Sequence, residues 1–484
     1  MHKNKNTLQG IVDKTNIKYY PLLEAVTQLI TKNIQKVSRR RKSMKRRIMA
    51  LLVVTTMLTT LLAGCGKQDA PAAGEKSTSE GVASSEEPVT LSIWHIENDE
   101  VRQEVFKNAI ARFEADYPHI TVEQVPMEND PYKTSLATSM AAGEEPDIFI
   151  SWGGGWLQSF VDEGKVLDID EKIDAVSDEY YEAALSLFEL DGKNYALPYR
   201  CGPAPVYYNK AIYEEYGLEV PTTLEELEKN CEILLENGII PFALGNSSQW
   251  PGALTFIWLS LREGGQQTFL DAYLRNEGGS FADESFVRAG EKIQEWVGKG
   301  YYPEGANGIN YDTGGSRMLF YTGQTAHIIQ TSSFISNCKS EAPEVYENLG
   351  LFNYPTIAGG KGQADEILGG GNGYSISAST AHPEEAFELT RYLSNKDYGQ
   401  DMVDIAGLFT GVKGVEITEP LTKQVEEMVL NSSYIQNFYD QFLPTELGNL
   451  HKQTTYDLFG MSTTPEQAAA DMEAQAVKDL GEAK

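Results

Sequence analysis

Residues 89–151 read VTLSIWHIENDEVRQEVFKNAIARFEADYPHITVEQVPMENDPYKTSLATSMAAGEEPDIFIS. Over 89–95 apolar and polar residues alternate and strand formers dominate, which predicts a β-strand. Val105, Ala109, Ile110 and Phe113 recur at helical spacing within 101–117, and Pro118 ends that run. A second strand is predicted at 120–125 and a second helix at 132–142, closed by Gly143. The segment 147–151 is short and apolar inside, as in a buried parallel sheet. Strand, helix, strand, helix, strand is the alternation of an α/β protein.

The pattern continues downstream. Strands are predicted at 204–209, 241–245, 325–330 and 349–354. Helices are predicted at 223–237, 250–262, 268–276, 283–299, 383–394 and 465–479. Thr222 or Thr223 with Glu225 and Glu226 marks one helix start, and Pro383 and Pro465 sit at first-turn positions of two others.

The chain has 484 residues, 41% hydrophobic and 23% charged, with a net charge of −30. This is a globular composition. Thirteen basic and two acidic residues fall within 1–64, leaving 27 basic and 68 acidic in 65–484, a net −41. So acidic a body repels phosphates and excludes nucleic-acid binding. Four cysteines exclude a disulfide framework.

Within 44–66, MKRRIMALLVVTTMLTTLLAGCG, a basic cluster precedes an apolar run of about 15 residues, short for a membrane span, and small residues follow. That is the layout of a secretory signal, and translation is expected to begin at Met44. Leu62-Ala63-Gly64-Cys65 resembles the lipobox of bacterial lipoproteins, in which the Cys is lipidated and the signal is cut before it. Residues 66–88 are small, polar and acidic, which predicts a tether reaching about 25–30 Å. The folded body is then 89–484.

Several segments of the body resemble the extracellular solute-binding proteins of the sugar-binding class. They are RFEADYPHITVE (112–123), AAGEEPDI (141–148), LPY (197–199) with YYNK (207–210), PTTLEEL (221–227), GGGNGYSI (369–376) with PEEAF (383–387), and PEQA (465–468). They occur in the family's order. The sequence departs from the pattern at Thr331-Ser-Ser-Phe334, where the family has "GxW". The resemblance implies a type II periplasmic-binding-protein-like fold, with two α/β lobes joined by hinge crossings. Chain order places lobe one at 89–208 plus 331–395 and lobe two at 212–328 plus 400–484. It further implies a monomeric receptor, lipid-anchored through Cys65 to the outer face of the cell membrane. Such a receptor captures an oligosaccharide by hinge closure and delivers it to an ABC permease, without a cofactor.

Sugars present hydroxyls at their edges and C–H groups on their faces, so they call for planar polar groups and aromatic rings. Ligands of α/β sheets lie beyond strand carboxyl ends, and loops there supply the candidates. His95, Glu97 and Asn98 follow the first strand, where ligand contact and an ordinary loop role are both open. Trp152 and Gly153 follow the third, in a run whose glycines allow close approach. Trp152 is the stacking candidate, while Trp156 suits packing under a helix. Arg200 sits at the predicted hinge, and it suits either hydroxyls or an acidic neighbour. Asn246 and Trp250 follow the strand at 241–245. Gln330 and Thr331 end a crossing strand. Gly370, Gly371 and Asn372 form a second glycine-rich loop. Phe409 is open between stacking and core. These segments mix His95, Glu97 and Arg200 without a basic cluster, which favours a neutral saccharide.

A secreted carbohydrate-active enzyme is the rival reading, and a non-transport adhesion lipoprotein on the same fold is a third. With 70 acidic residues, a carboxylate pair is uninformative. G-x-S-x-G, H-E-x-x-H, C-x-x-C and the phosphate-loop pattern are absent, and the six histidines lack metal-ligand spacing. Cys201, Cys231 and Cys338 read as ordinary buried thiols.

Overall fold

The computed structural model describes residues 87–484. The expectations at Met44, Cys65 and the tether before residue 87 lie outside the described residues. The strands are β1 (Val89–His95), β2 (Ile120–Pro126), β3 (Ile148–Ser151), β4 (Glu189–Leu190), β5 (Lys193–Asn194), β6 (Leu197–Pro203), β7 (Val206–Asn209), β8 (Ile240–Ala243), β9 (Thr325–Ile329), β10 (Leu349–Phe352), β11 (Ile367–Ile376) and β12 (Ile435–Asn437).

β1 runs parallel to β2, Val89 opposite Ile120, and parallel to β3, Ile93 opposite Ile148. The helix Glu100–Asp116 links β1 to β2, and its first turn is capped by the Asp99 carboxylate. Leu91, Ile93, Phe106, Phe113 and Ile150 are buried together in a first core. The sheet order is β12-β11-β3-β1-β2, with β6 also paired to β11. A second sheet, β10-β7-β9-β8, has its own core around Tyr207, Phe242, Trp258, Trp296 and Ile328. Thr223 and Glu226 form a reciprocal capping box at the start of the helix Leu224–Glu236. The two helices expected at 250–262 and 268–276 form one element, Trp250–Tyr273, broken at Gly265, whose φ is 69°.

β6 and β11 pass from one core to the other. Leu197 and Tyr199 lie in the first core and Cys201 in the second; Tyr374 and Ile376 lie in the first, Ile367 and Leu368 in the second. The two strands are antiparallel, with Asn372 opposite Arg200 and a register shift between Asn372 and Gly373. A third passage lies between Val412, in the first core, and Leu421, in the second.

Two expectations change here. Gly370, Gly371 and Asn372 are not a loop; they are the middle of β11. Glycines have no side chain to show a two-residue period, so the strand is hidden from pattern reading. The lobe partition shifts with it. β7 and β10 pair with each other in the second sheet, and Phe334, Ile335 and Cys338 pack in the second core. Tyr398 and Met402 pack in the first. The crossing strand is therefore β11, not the end of β9, and most of 331–368 goes with lobe two.

Candidate functional site

A cleft of about 310 Å³ lies where the two cores meet. Asn98, Asp99, Arg102, Glu128 and Trp152 line it from the first sheet's side. Trp250, Tyr311, Asp312, Arg317, Thr331 and Ser332 line it from the second, with Arg200, Gly202, Gly371 and Asn372 of the crossing strands between them. Phe438, Asp440 and Gln441 complete it. The first set follows the carboxyl ends of parallel strands, where α/β sheets leave room for ligands.

Arg200 and Asn372 face each other across the crossing strands. Arg200 Nη2 donates to Asn372 Oδ1 at 3.1 Å. That bond orients the amide so that its nitrogen is free. Arg200 Nη1 and Asn372 Nδ2 are buried without a partner, although the residues are only 8% and 6% exposed. Buried donors are normally satisfied, so such orphans call for an unseen acceptor.

Behind them Glu97 is fully buried. Its Oε1 accepts from the Tyr199 hydroxyl at 2.6 Å, and its Oε2 lies 2.9 Å from Arg102 Nη1. Burial alone would raise this carboxyl's pKa. Attraction by Arg102, then Arg200, and the Tyr199 hydrogen bond outweigh burial and hold it below the ordinary value. Arg102 is also paired with Asp99.

Trp152 is 5% exposed. Tyr132 and Trp156 meet it edge-on at 5.7 and 5.0 Å, and Lys133 Nζ lies 4.7 Å from its ring centroid. Lys133 pairs with Asp440 at 3.1 Å, joining the helix Asn129–Ala142 to the short helix Tyr439–Phe442. Burial would raise Asp440's pKa, but Lys133 and Lys452 lower it. Trp250 is more open and meets Tyr311 edge-on at 5.2 Å. Burial raises the Asp312 carboxyl, which accepts from Ser248 Oγ at 2.8 Å.

Of the residues singled out from sequence, Asn98, Trp152, Arg200, Trp250, Thr331, Gly371 and Asn372 are brought together on the cleft. His95, Glu97, Gly153, Asn246, Gln330 and Phe409 are not on its wall. His95 stacks on Phe106 at 4.1 Å, bonds Gln124 at 3.2 Å, and is lowered to about 4 by burial. Asn246 Oδ1 accepts from the Gly252 N–H at 3.0 Å, steadying the start of the helix Trp250–Tyr273. Gln330 Oε1 accepts from the Thr331 N–H at 3.1 Å. Phe409 is 1% exposed and packs on Tyr181. The glycine run at 153–155 does allow a close approach, but to the chain itself. A Cβ at Gly154 would lie 2.7 Å from Phe442 Cα, and one at Gly155 2.6 Å from the Leu443 carbonyl carbon.

Pattern reading missed Arg102, Tyr311, Asp312, Phe438, Asp440 and Gln441. Arg102 had a signal, standing three residues after a capping Asp. Tyr311 and Asp312 lie outside the regular elements, and Asp440 and Gln441 lie in a four-residue helix, so no period marks them. Cys201, Cys231 and Cys338 are buried free thiols, as expected. Among the described residues no group of three or more His, Cys, Asp or Glu could hold a metal ion. No described helix is long and apolar enough to cross a membrane.

Residues 98–400 match the bacterial extracellular solute-binding protein family. An uncharacterized ABC transporter extracellular-binding protein of Pyrococcus horikoshii is 26% identical over 199 residues, 40% of this chain. The match spans 45% of that relative, less than half its length. The multiple sugar-binding protein of Streptococcus mutans is 24% identical over 385 residues, 76% of this chain and 84% of that one. One similar structure comes from a study of xylan utilization by the thermophilic bacterium Caldanaerobius polysaccharolyticus. Its TM-score is 0.75 at 29% identity, covering 80% of this chain and 99% of that one. A chitin oligosaccharide binding protein also superposes with a TM-score of 0.75, at 24% identity, over 81% and 99% of the two chains. The type II two-lobed fold is that of these structures.

Proposed function

Because the chain belongs to the bacterial extracellular solute-binding proteins, we propose that it captures a neutral oligosaccharide in the cleft and delivers it to an ABC permease. One observation carries the ligand class. Two buried donors, Arg200 Nη1 and Asn372 Nδ2, are left without partners at the meeting of the lobes. They suit the oxygen acceptors of a sugar. Trp250, Tyr311, Trp152 and Phe438 line the same cleft, and Trp250, the most open of these rings, offers a face for a sugar to stack on. The names of the relatives point the same way.

Binding closes the lobes about β6 and β11, the mode of closure general to such binding proteins. The Leu62–Cys65 motif supports lipid anchoring at Cys65, so the monomer works tethered outside the cell. The protein releases its ligand unchanged. Calorimetry and thermal shift against neutral oligosaccharides test this reading, with chromatography of the same mixtures for fragments. Saturable stabilisation without fragments is the expected result. Fragments would make it an enzyme, and no binding by any sugar would favour the adhesion reading.

A further inference from the structure

The arrangement of charge on the cleft's inner wall carries one further step, which rests on the sugar-binding reading above. From sequence, a neutral ligand is expected because no basic cluster is visible. The fold nevertheless brings two arginines, Arg102 and Arg200, onto one wall. Neither charge is left alone. Glu97 lies behind them, in an ion pair with Arg102 and electrostatically coupled to Arg200. Asp99 accepts from Arg102 Nε–H and from the Arg102 backbone N–H. Both carboxylates thus pair with Arg102, Glu97 also attracts Arg200 from behind, and the charges of these four groups sum to zero. Arg200 and Asn372 bring their orphan donors to this wall, while the unpartnered acceptor Glu97 Oε2 lies behind it against Arg102.

An uncompensated arginine in such a place would favour a carboxylate, which it binds through two parallel bonds. A compensated one offers the same N–H geometry without the Coulombic gain that offsets desolvating an anion. Hydroxyl and ring oxygens then compete on equal terms, and the anion's desolvation cost decides against it. The carboxylate that holds this balance is Glu97, which is fully buried behind the wall and not on it.

We propose that Glu97 is a positioning residue that sets the charge preference of the cleft: by cancelling an arginine from behind, it makes the wall select uncharged sugars over uronic acids.

The test uses the purified chain and Glu97→Gln, which keeps shape and removes one negative charge. Calorimetry is run with neutral xylo-, cello-, malto- and galacto-disaccharides, each beside its counterpart carrying one uronic acid. The wild type is expected to prefer the neutral member. In Glu97→Gln the ratio shifts toward the acid by about tenfold or more. Inorganic sulfate serves as a probe independent of sugar identity. It should give saturable thermal stabilisation of Glu97→Gln and none of the wild type. Since Glu97 is buried, Asp99→Asn provides a second route, because it removes the other carboxylate on Arg102 while keeping a capping side chain. It must move the ratio in the same direction if Glu97→Gln does not fold. Glu97→Gln/Arg102→Gln restores the balance and should restore the neutral preference. An unchanged ratio in the folded single variants, or equal sulfate binding by wild type and variant, overturns the proposal. A wild type that binds no sugar of either kind overturns the sugar reading instead, and sulfate then still reports on the compensation.

Discussion

Replacing Arg200 by Met should separate binding from stability. In the unliganded protein Arg200 donates one bond, to Asn372 at 3.1 Å, and keeps Nη1 buried without a partner. The bond to a charged donor contributes about 1.5–3 kcal/mol, and the unsatisfied donor costs about 1–3 kcal/mol. The two offset each other in part. Because the substitution also leaves Asn372 Oδ1 without its donor and removes a charge that attracts Glu97, Arg200→Met should lower the unliganded melting temperature by no more than about 4 °C. With ligand bound, Nη1 gains its acceptor and nothing offsets its loss. Affinity should fall by about 1.5–3 kcal/mol, or roughly 10- to 150-fold. Differential scanning calorimetry without ligand and titration calorimetry with the tightest neutral sugar measure the two quantities. A melting temperature lowered beyond that limit with unchanged affinity would make Arg200 a structural residue and refute the argument from the orphan donor.

Three further outcomes follow from the geometry. Trp250→Ala removes the more open ring of the Trp250–Tyr311 pair and should weaken sugar binding by about 1–3 kcal/mol with little change in melting; equal affinity would remove Trp250 from the site. Gly155→Ala puts a Cβ 2.6 Å from Leu443 and 2.7 Å from Pro444, both backbone, so it should destabilise the fold by about 1–3 kcal/mol in urea melts. An unchanged midpoint would show that the contact yields freely. His327 bonds the Tyr213 hydroxyl at 2.6 Å and the Pro241 carbonyl at 2.9 Å, and burial lowers it from 6.5 to about 4. Its folded pKa is below its unfolded one, so the stability its neutral form contributes is complete above about pH 6.5 and is lost as pH falls toward 4. His95, lowered to about 4, adds to the same window. Urea unfolding should show stability falling from pH 7 to pH 4.5, with a shallower slope in His327→Gln; a flat profile in the wild type would refute this.

Much of the fold was legible because β1 through β3 carry side chains that report their own geometry. The alternation at 89–95 and the helical spacing at 105–113 need no tertiary information. β11 escaped for the opposite reason. With glycine at 369, 370, 371 and 373, four of its ten residues have no side chain to read, and that omission moved the lobe boundary. The cleft was legible where a strand end announced it, as at Asn98 and Trp152. It was illegible at Tyr311 and Asp440, which reach the site from irregular or very short elements. His95, Asn246 and Gln330 show the limit of the strand-end rule. Each follows or ends a strand as required, yet each bonds the protein's own groups instead of facing the cleft.

The orphan donors stand on the two strands that pass between the cores, which is to say on the axle of any lobe rotation. Atoms on an axle travel least during a swing. On the proposed reading, a sugar that first engages Arg200 and Asn372 would keep those contacts through the whole movement, while Trp250 and Tyr311, carried by the second lobe, would travel toward a ligand already oriented.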